Sequence, residues 1–221
     1  MIVENFQNLI NTIPSYVKVV VVTKFQPNEK ILSIYNLGYK IFGENRVQEL
    51  VQKFNTLPKD IEWHLIGHLQ TNKVKYIVPF VSLIHSVDSI KLLETINKEA
   101  IKSDRIIQCL LQVHIAKEET KFGFNSEEIL DCLNNYDNNK YSNIIIKGLM
   151  GMATFTDDEN QIRNEFRNLK ILFDKIKVDY KNILTHFDTL SMGMTNDYKI
   201  AIEEGSNMIR IGSLIFGSRE Y

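Results

Sequence analysis

The sequence lacks several features that would assign its class at once. It has only two cysteines, Cys109 and Cys132, too few for a disulfide framework or a zinc motif, and we expect both to stay reduced. No apolar run is long enough to span a bilayer, and the segment 17–22 is interrupted by Lys18. The formal net charge of -1 provides no basic field for general nucleic-acid binding. The chain also does not begin with a charged segment followed by an apolar stretch, so we expect no signal peptide and a cytoplasmic location.

Glycine and proline are scarce, with ten glycines and four prolines in 221 residues. The first apolar run is followed by residues 23–27 (TKFQP), which contain no glycine. This argues against a dinucleotide site of the Rossmann type, which needs a glycine-rich turn at that point. No low-complexity linker divides the chain, so we predict a single domain over residues 1–221.

Short runs of branched apolar residues alternate with longer amphipathic patterns along the sequence. Runs rich in Val, Ile and Leu are typical of parallel strands that are buried on both faces. Eight such repeats predict an α/β fold, a single (β/α)8 TIM barrel with an extra N-terminal helix at residues 4–13, and an open doubly wound sheet is the main alternative. The predicted strands are Val17–Thr23, Tyr39–Phe42, Glu62–Ile66, Val81–His85, Ile106–His114, Ile144–Met150, Phe187–Ser191 and Met208–Ile211.

Polar and glycine-flanked residues collect at the carboxyl ends of the predicted strands, which is where a barrel carries its functional site. Lys24 follows the first strand, and Asn45 follows the second. A lysine in a partly dry barrel mouth has a lowered amine pKa and is nucleophilic toward an aldehyde. A solvated lysine that ends a strand, and an asparagine that caps a helix, are the simpler interpretations of these two residues in isolation.

The loops after the seventh and eighth predicted strands have a pattern typical of a phosphate site. Ser191 and Thr195 offer hydroxyls, and Gly193 and Gly212 allow backbone N–H groups to approach an anion closely. Ser213 begins a short segment whose N-terminus would face the same anion. Two ordinary turns with small residues would look similar, but we favour the phosphate site because both loops have the pattern.

Arg210 lies within an otherwise apolar strand and therefore needs an acceptor. The residues alone leave open a salt bridge to a carboxylate and a hydrogen bond to the ring nitrogen of a ligand. None of the five histidines forms a metal-ligand motif, so we expect structural roles for His64 and His68 rather than zinc binding.

Five segments resemble the pyridoxal phosphate homeostasis protein family, also called the YggS or PROSC proteins. The resemblance runs from about Val17 to Gly217 and implies a barrel like the N-terminal domain of alanine racemase. The segments are Phe42–Asn45 (FGEN), Trp63–Lys73 (WHLIGHLQTNK), Lys147–Met150 (KGLM), Ser191–Met194 (SMGM) and Ile209–Ser213 (IRIGS).

The resemblance implies that the cofactor is pyridoxal 5'-phosphate (PLP), held as a Schiff base on Lys24. It also places Arg210 opposite the pyridine nitrogen. The remaining cofactor-binding residues that we predict are Ser191, Gly212 and Ser213 at the phosphate, with Gly193 beside them, and Asn45 and Met150 along the cofactor. The sequence departs from the family pattern at Gln26, where a second lysine is frequent, and at Thr195, where serine is usual. The N-terminal helical arm is also shorter than usual.

We therefore predict a PLP-binding protein of intracellular vitamin B6 homeostasis that affects amino-acid and keto-acid balance without committed catalysis. Related racemases take their second catalytic group from a C-terminal domain, which we do not expect here because the sequence stops four residues after Gly217. Arg210 would also disfavour protonation of the ring nitrogen and so weaken the ring as an electron sink. The alternatives are a PLP-dependent amino-acid racemase of low activity and, without support from the motifs, a class I aldolase.

The same reasoning gives expectations about partners. We expect PLP and PLP-dependent apo-enzymes to bind, and neither nucleic acid nor a membrane. We also expect a monomer, because no extended apolar face remains beyond the barrel.

Overall fold

A computed structural model describes residues 1–118 and 122–217 of the chain. Eight parallel strands pair in chain order, and the last strand also pairs with the first, so the sheet closes. The predicted TIM barrel is confirmed, and the open sheet is wrong. The strands are β1 Lys18–Val22, β2 Ile41–Glu44, β3 Glu62–Leu65, β4 Leu83–Val87, β5 Ile107–Val113, β6 Ile144–Gly151, β7 Thr189–Ser191 and β8 Met208–Ile211.

The helices surround this barrel, and several begin at capping residues that the sequence supplies. Asn125 and Glu128 form a reciprocal capping box, and the side chains of Ser89 and Asp158 accept hydrogen bonds from the first turns of their helices. A short 3-10 turn lies at Thr71–Lys73. The α-helices are α1 Ile2–Thr12, α2 Asn28–Tyr35, α3 Val47–Thr56, α4 Val74–Ile77, α5 Ile90–Lys102, α6 Ser126–Asn134, α7 Glu159–Asp179, α8 Tyr198–Glu203 and α9 Ser213–Phe216.

The core has two layers because the strands bury both of their faces. The larger layer lies between strands and helices and includes the fully buried rings of Phe42, Trp63 and Phe166. The smaller layer joins side chains from strands all around the ring, which meet only inside the barrel. It comprises Val20, Ile66, Leu83, Leu110, Met150 and Met208.

The described helices show no membrane-spanning candidate, since none combines sufficient length with sufficient apolar character over residues 1–118 and 122–217.

Candidate functional site

A cavity of about 760 Å³ opens at the carboxyl ends of the strands. Its walls come from the loops after β1, β2, β3, β6, β7 and β8, so the barrel brings together residues that are far apart in the chain. Five of the predicted cofactor-binding residues line it, namely Lys24, Asn45, Arg210, Gly212 and Ser213.

A buried charged cluster supports the wall that carries Lys24. It consists of Glu44 at the end of β2 with Glu49 and Lys53 on α3, and we term it the Lys53 cluster. Lys53 Nζ lies 2.6 Å from Glu44 Oε1 and 2.7 Å from Glu49 Oε1. The Glu44 side chain is fully buried, and that of Lys53 is 6% exposed. Burial raises the pKa of Glu44, while the Lys53 ammonium and the Thr23 hydroxyl oppose the rise.

The Lys53 cluster fixes the loop on both sides of Lys24. Its ammonium donates a hydrogen bond to the Thr23 carbonyl oxygen at 2.7 Å, and the Thr23 hydroxyl donates to one of its carboxylates. The Phe25 N–H donates to the other carboxylate at 2.7 Å. Phe25 has a φ of 62°, a left-handed conformation that costs a non-glycine residue about 1–2 kcal/mol. The hydrogen bond to the cluster offsets that cost and orders the backbone next to the lysine.

Asn45 lines the cavity and carries a buried acceptor. Its Oδ1 has no hydrogen-bond partner among the residues that the structure describes. Asn45 does not cap α3, because the N-cap of that helix is Arg46 and no side chain caps it. A buried acceptor left without a donor is costly, so the position suits a ligand that brings a hydroxyl or another donor.

The loops after β7 and β8 meet at the cavity as the sequence predicted. The Ser213 hydroxyl donates to Thr195 Oγ1 at 3.1 Å, and both residues line the cavity with Gly212. Gly193 has a φ of 96°, and a Cβ at that position would lie 2.6 Å from Ala201 Cβ. The loop after β7 therefore turns tightly against α8, and the two loops together offer hydroxyls and approachable backbone to an anion.

Arg210 reaches the cavity from within the barrel and is only 3% exposed. Its Nη1 donates to the Ser191 carbonyl oxygen at 2.9 Å and to Ser191 Oγ at 2.7 Å, and its Nη2 donates to the Gly151 carbonyl oxygen at 3.0 Å. Burial lowers the pKa of Arg210 to about 10, and Asp197 opposes this shift. The guanidinium therefore keeps its charge at neutral pH.

Three predicted cofactor-binding residues lie elsewhere than in the cavity lining. Ser191 is fully buried, and its hydroxyl is engaged by Arg210 and by His85. Met150 packs in the inner apolar layer, and Gly193 packs closely against Ala201 on α8. The reason is strand alternation, which turns the side chains of Ser191 and Met150 into the barrel interior. Direct contact of these three residues with a cofactor stays a prediction.

The sequence did not single out the loop after β6, which forms a large part of the cavity wall. Residues 152–157 and Glu159 line the cavity there, and Phe155 is 87% exposed. Asp197 adds a further carboxylate from the loop after β7. The position of these residues after a predicted strand was the only available indication, because their types form no recognisable motif.

Comparison with known proteins agrees with this geometry. Residues 1–220 match the family model of the alanine racemase N-terminal domain. A pyridoxal phosphate homeostasis protein from Aquifex aeolicus is 42% identical over 204 residues, which cover 90% of this chain and 86% of that protein. This chain belongs to the pyridoxal phosphate homeostasis protein family. The predicted family is thereby confirmed.

Solved structures show the same likeness. PipY of Synechococcus elongatus is 31% identical, and the match covers 98% of this chain and 100% of that one. The TM-score is 0.91 for PipY without PLP and 0.86 for PipY with PLP bound. An alanine racemase from Clostridium difficile has a TM-score of 0.77 at 14% identity and matches 100% of this chain with 56% of its own, so it shares the fold.

Proposed function

We propose that this protein binds PLP in the cavity at the carboxyl ends of the strands, covalently through Lys24, and serves intracellular PLP homeostasis without committed catalysis. The observation that carries the proposal is the convergence of Lys24, Arg210 and Ser213 from β1 and β8 on one cavity, in a family whose member PipY has been solved with PLP bound. We propose that one domain over residues 1–221 performs this function in the cytoplasm.

The residues present fit the polar groups of PLP. The unpartnered Oδ1 of Asn45 would accept a hydrogen bond from its phenolic hydroxyl. The hydroxyls of Ser213 and Thr195, with the backbone at Gly212, would hold its phosphate. Arg210 would face its ring nitrogen. When bound, PLP supplies an aldehyde that exchanges reversibly between amines, and Lys24 is the cavity lysine that would form the Schiff base.

The state of Arg210 favours a holding role over catalysis. Because its guanidinium stays charged and has only donors to offer, it disfavours protonation of a ring nitrogen beside it. A ring without that proton is a poor electron sink, so carbanion chemistry would be slow. We therefore propose a PLP store that releases the cofactor to PLP-dependent apo-enzymes and so affects amino-acid and keto-acid balance, and we expect it to be a monomer.

The first test is the visible absorption spectrum of purified protein incubated with PLP, before and after borohydride reduction, with peptide mass mapping. We expect a yellow band that reduction removes, and the cofactor mass fixed to Lys24. K24A should lose the band, whereas K175A, at an exposed lysine, should keep it. A protein that gains no band with PLP would contradict the proposal and favour the aldolase.

The second test separates the store from the low-activity racemase. The PLP-loaded protein is mixed with an apo-enzyme and, separately, with L-alanine. We expect recovery of apo-enzyme activity and no D-alanine beyond that formed by free PLP. Steady production of D-alanine that K24A abolishes would establish the racemase instead.

A further inference from the structure

A chain of four hydrogen-bonded side chains crosses the inside of the barrel below the cavity. It runs from Arg210 on β8 to Ser191 on β7, then to His85 on β4 and His64 on β3. Arg210 Nη1 lies 2.7 Å from Ser191 Oγ, Ser191 Oγ lies 3.1 Å from His85 Nδ1, and His85 Nε2 lies 3.0 Å from His64 Nδ1. All four residues are buried, with exposures of 4% or less.

Arg210 can only donate, which makes Ser191 Oγ an acceptor in the first hydrogen bond. For the two bonds that follow, we infer the direction in which the Ser191 hydroxyl uses its own hydrogen within this network. In that direction the Ser191 hydroxyl donates to His85 Nδ1. His85 then carries its proton on Nε2 and donates to His64 Nδ1, which leaves the His64 proton on its Nε2. Ser191 and His85 thus each accept from one neighbour and donate to the next, and this arrangement places the proton of each histidine on Nε2.

Both histidines are neutral in this environment. Burial lowers the pKa of His64 to about 3, and Lys18 adds to the shift. Burial also lowers the pKa of His85, with further lowering by His64 and Arg210. A proton on either ring would place a second positive charge in the same buried chain, so the guanidinium carries the charge alone.

This network of hydrogen-bonded side chains limits how many hydrogen bonds Arg210 can donate to a ligand in the cavity. Arginine has five N–H donors, and three are directed to Ser191 and to the Gly151 carbonyl oxygen. At most two donors remain for a ligand, and their direction is set because the guanidinium is planar and the other three are fixed. The orientation of Arg210 therefore depends on where the Ser191 hydroxyl points.

We propose that His85 and His64 are positioning residues for Arg210, which act through Ser191 to fix the orientation of the guanidinium toward the cavity. This positioning role rests on the proposed function in one respect, which is that PLP is taken as the ligand that Arg210 contacts. Neither histidine is among the residues that line the cavity, and their effect is to hold the Ser191 hydroxyl as an acceptor for Arg210.

The first measurement uses the unmodified protein without ligand. Histidine-labelled protein is studied by long-range proton–nitrogen NMR, and the arginine side-chain signals are followed in the same samples. We expect His85 and His64 to be neutral with the proton on Nε2 down to about pH 5.5, and Arg210 to give N–H signals with slow exchange. A proton on His85 Nδ1, or titration of His85 near neutral pH, would overturn the proposal.

The second measurement compares variants of His85. H85L removes the hydrogen bonds at similar volume, whereas H85Q keeps an acceptor for Ser191 and a donor for His64. We expect H85L to average the Arg210 signals, weaken PLP affinity about tenfold and shift the absorption band of bound PLP, and H85Q to restore all three. H186Q, at an exposed histidine, should match the wild type.

The outcomes distinguish this inference from the proposed function. If the wild type binds no PLP but its Arg210 signals respond to H85L and recover in H85Q, the proposed function fails and the positioning role stands. If PLP binds equally to all variants and the Arg210 signals do not change, the positioning role is refuted and the proposed function stands. If H85L does not fold, H64L gives the same comparison one residue further along the network, with H64N, which keeps an acceptor for His85 Nε2, as its conservative counterpart.

Discussion

Replacement of Lys53 by methionine should destabilise the protein and do so most at high pH. The change leaves the fully buried carboxylate of Glu44 without its ammonium partner at 2.6 Å. Removing one member of a buried ion pair typically costs about 3–5 kcal/mol, against a total stability of about 5–15 kcal/mol for a domain. We therefore expect K53M to fold but to lose about a fifth or more of its free energy of unfolding, measured by urea denaturation.

The pH dependence follows from the direction of the Glu44 pKa. Burial already raises this pKa above the value in the unfolded chain, so the folded state binds the proton more tightly. Stability linked to this group is present at low pH and is lost as pH rises through the folded-state pKa. Without Lys53 the pKa rises further, so the K53M deficit should be largest near about pH 8 and shrink toward about pH 5.5 as Glu44 becomes neutral.

The double variant E44Q/K53M is the internal control, because it removes both charges and keeps an amide beside the Thr23 hydroxyl. We expect it to recover most of the lost stability and to show no pH dependence beyond that of the wild type. K175M, which breaks an exposed pair with Asp179, should leave the urea midpoint unchanged. A K53M deficit that is the same at both pH values, or a double variant no more stable than K53M, would refute the reasoning.

Three further predictions concern the core and the cavity. F42A removes a fully buried ring and should cost about 3–5 kcal/mol in urea unfolding; a loss below about 1 kcal/mol would mean that the core collapses around the gap. S213A should weaken PLP affinity about tenfold in a titration followed by absorbance, whereas S142A should not, and equal affinities would remove Ser213 from the phosphate site. G193A should be less stable than G38A by about 1–3 kcal/mol, because both glycines have positive φ but only Gly193 lacks room for a Cβ; equal thermal midpoints would argue against the clash.

The barrel was predictable because its strands are buried on both faces and therefore stand out as apolar runs. All eight predicted strands are present in the predicted order, although β2, β4 and β7 each begin two residues later than predicted, at Ile41, Leu83 and Thr189. The short helix α4 and the turn at Thr71–Lys73 were missed. Elements of three or four residues have too few positions to show a period, so only their tertiary contacts define them.

Within the site, the sequence predicted the loops that line the cavity more reliably than it predicted the individual side chains that face it. Asn45 and Gly212 directly follow the ends of β2 and β8, and Lys24 comes two residues after β1, so their position in the sequence was enough to predict them at the cavity. Ser191 is the last residue of β7, so the direction of its side chain depends on the register of β7 with its neighbours. Its contact with His85 also joins β7 to β4 across the barrel, and no local sequence pattern predicts a contact between residues so far apart in the chain.

The pairing of β1 with β8 has a consequence for the order of events when the protein is made. Val20 lies in register with Arg210, so the strand that precedes Lys24 finds its second neighbour only after nearly the whole chain has left the ribosome. Until then Lys24 has no opposing arginine and no β8 loop beside it, and contacts of such long sequence separation form slowly. A ligand that is bound through both the lysine and the arginine therefore requires β8 to be in place, so such binding reports that the barrel has closed between β1 and β8.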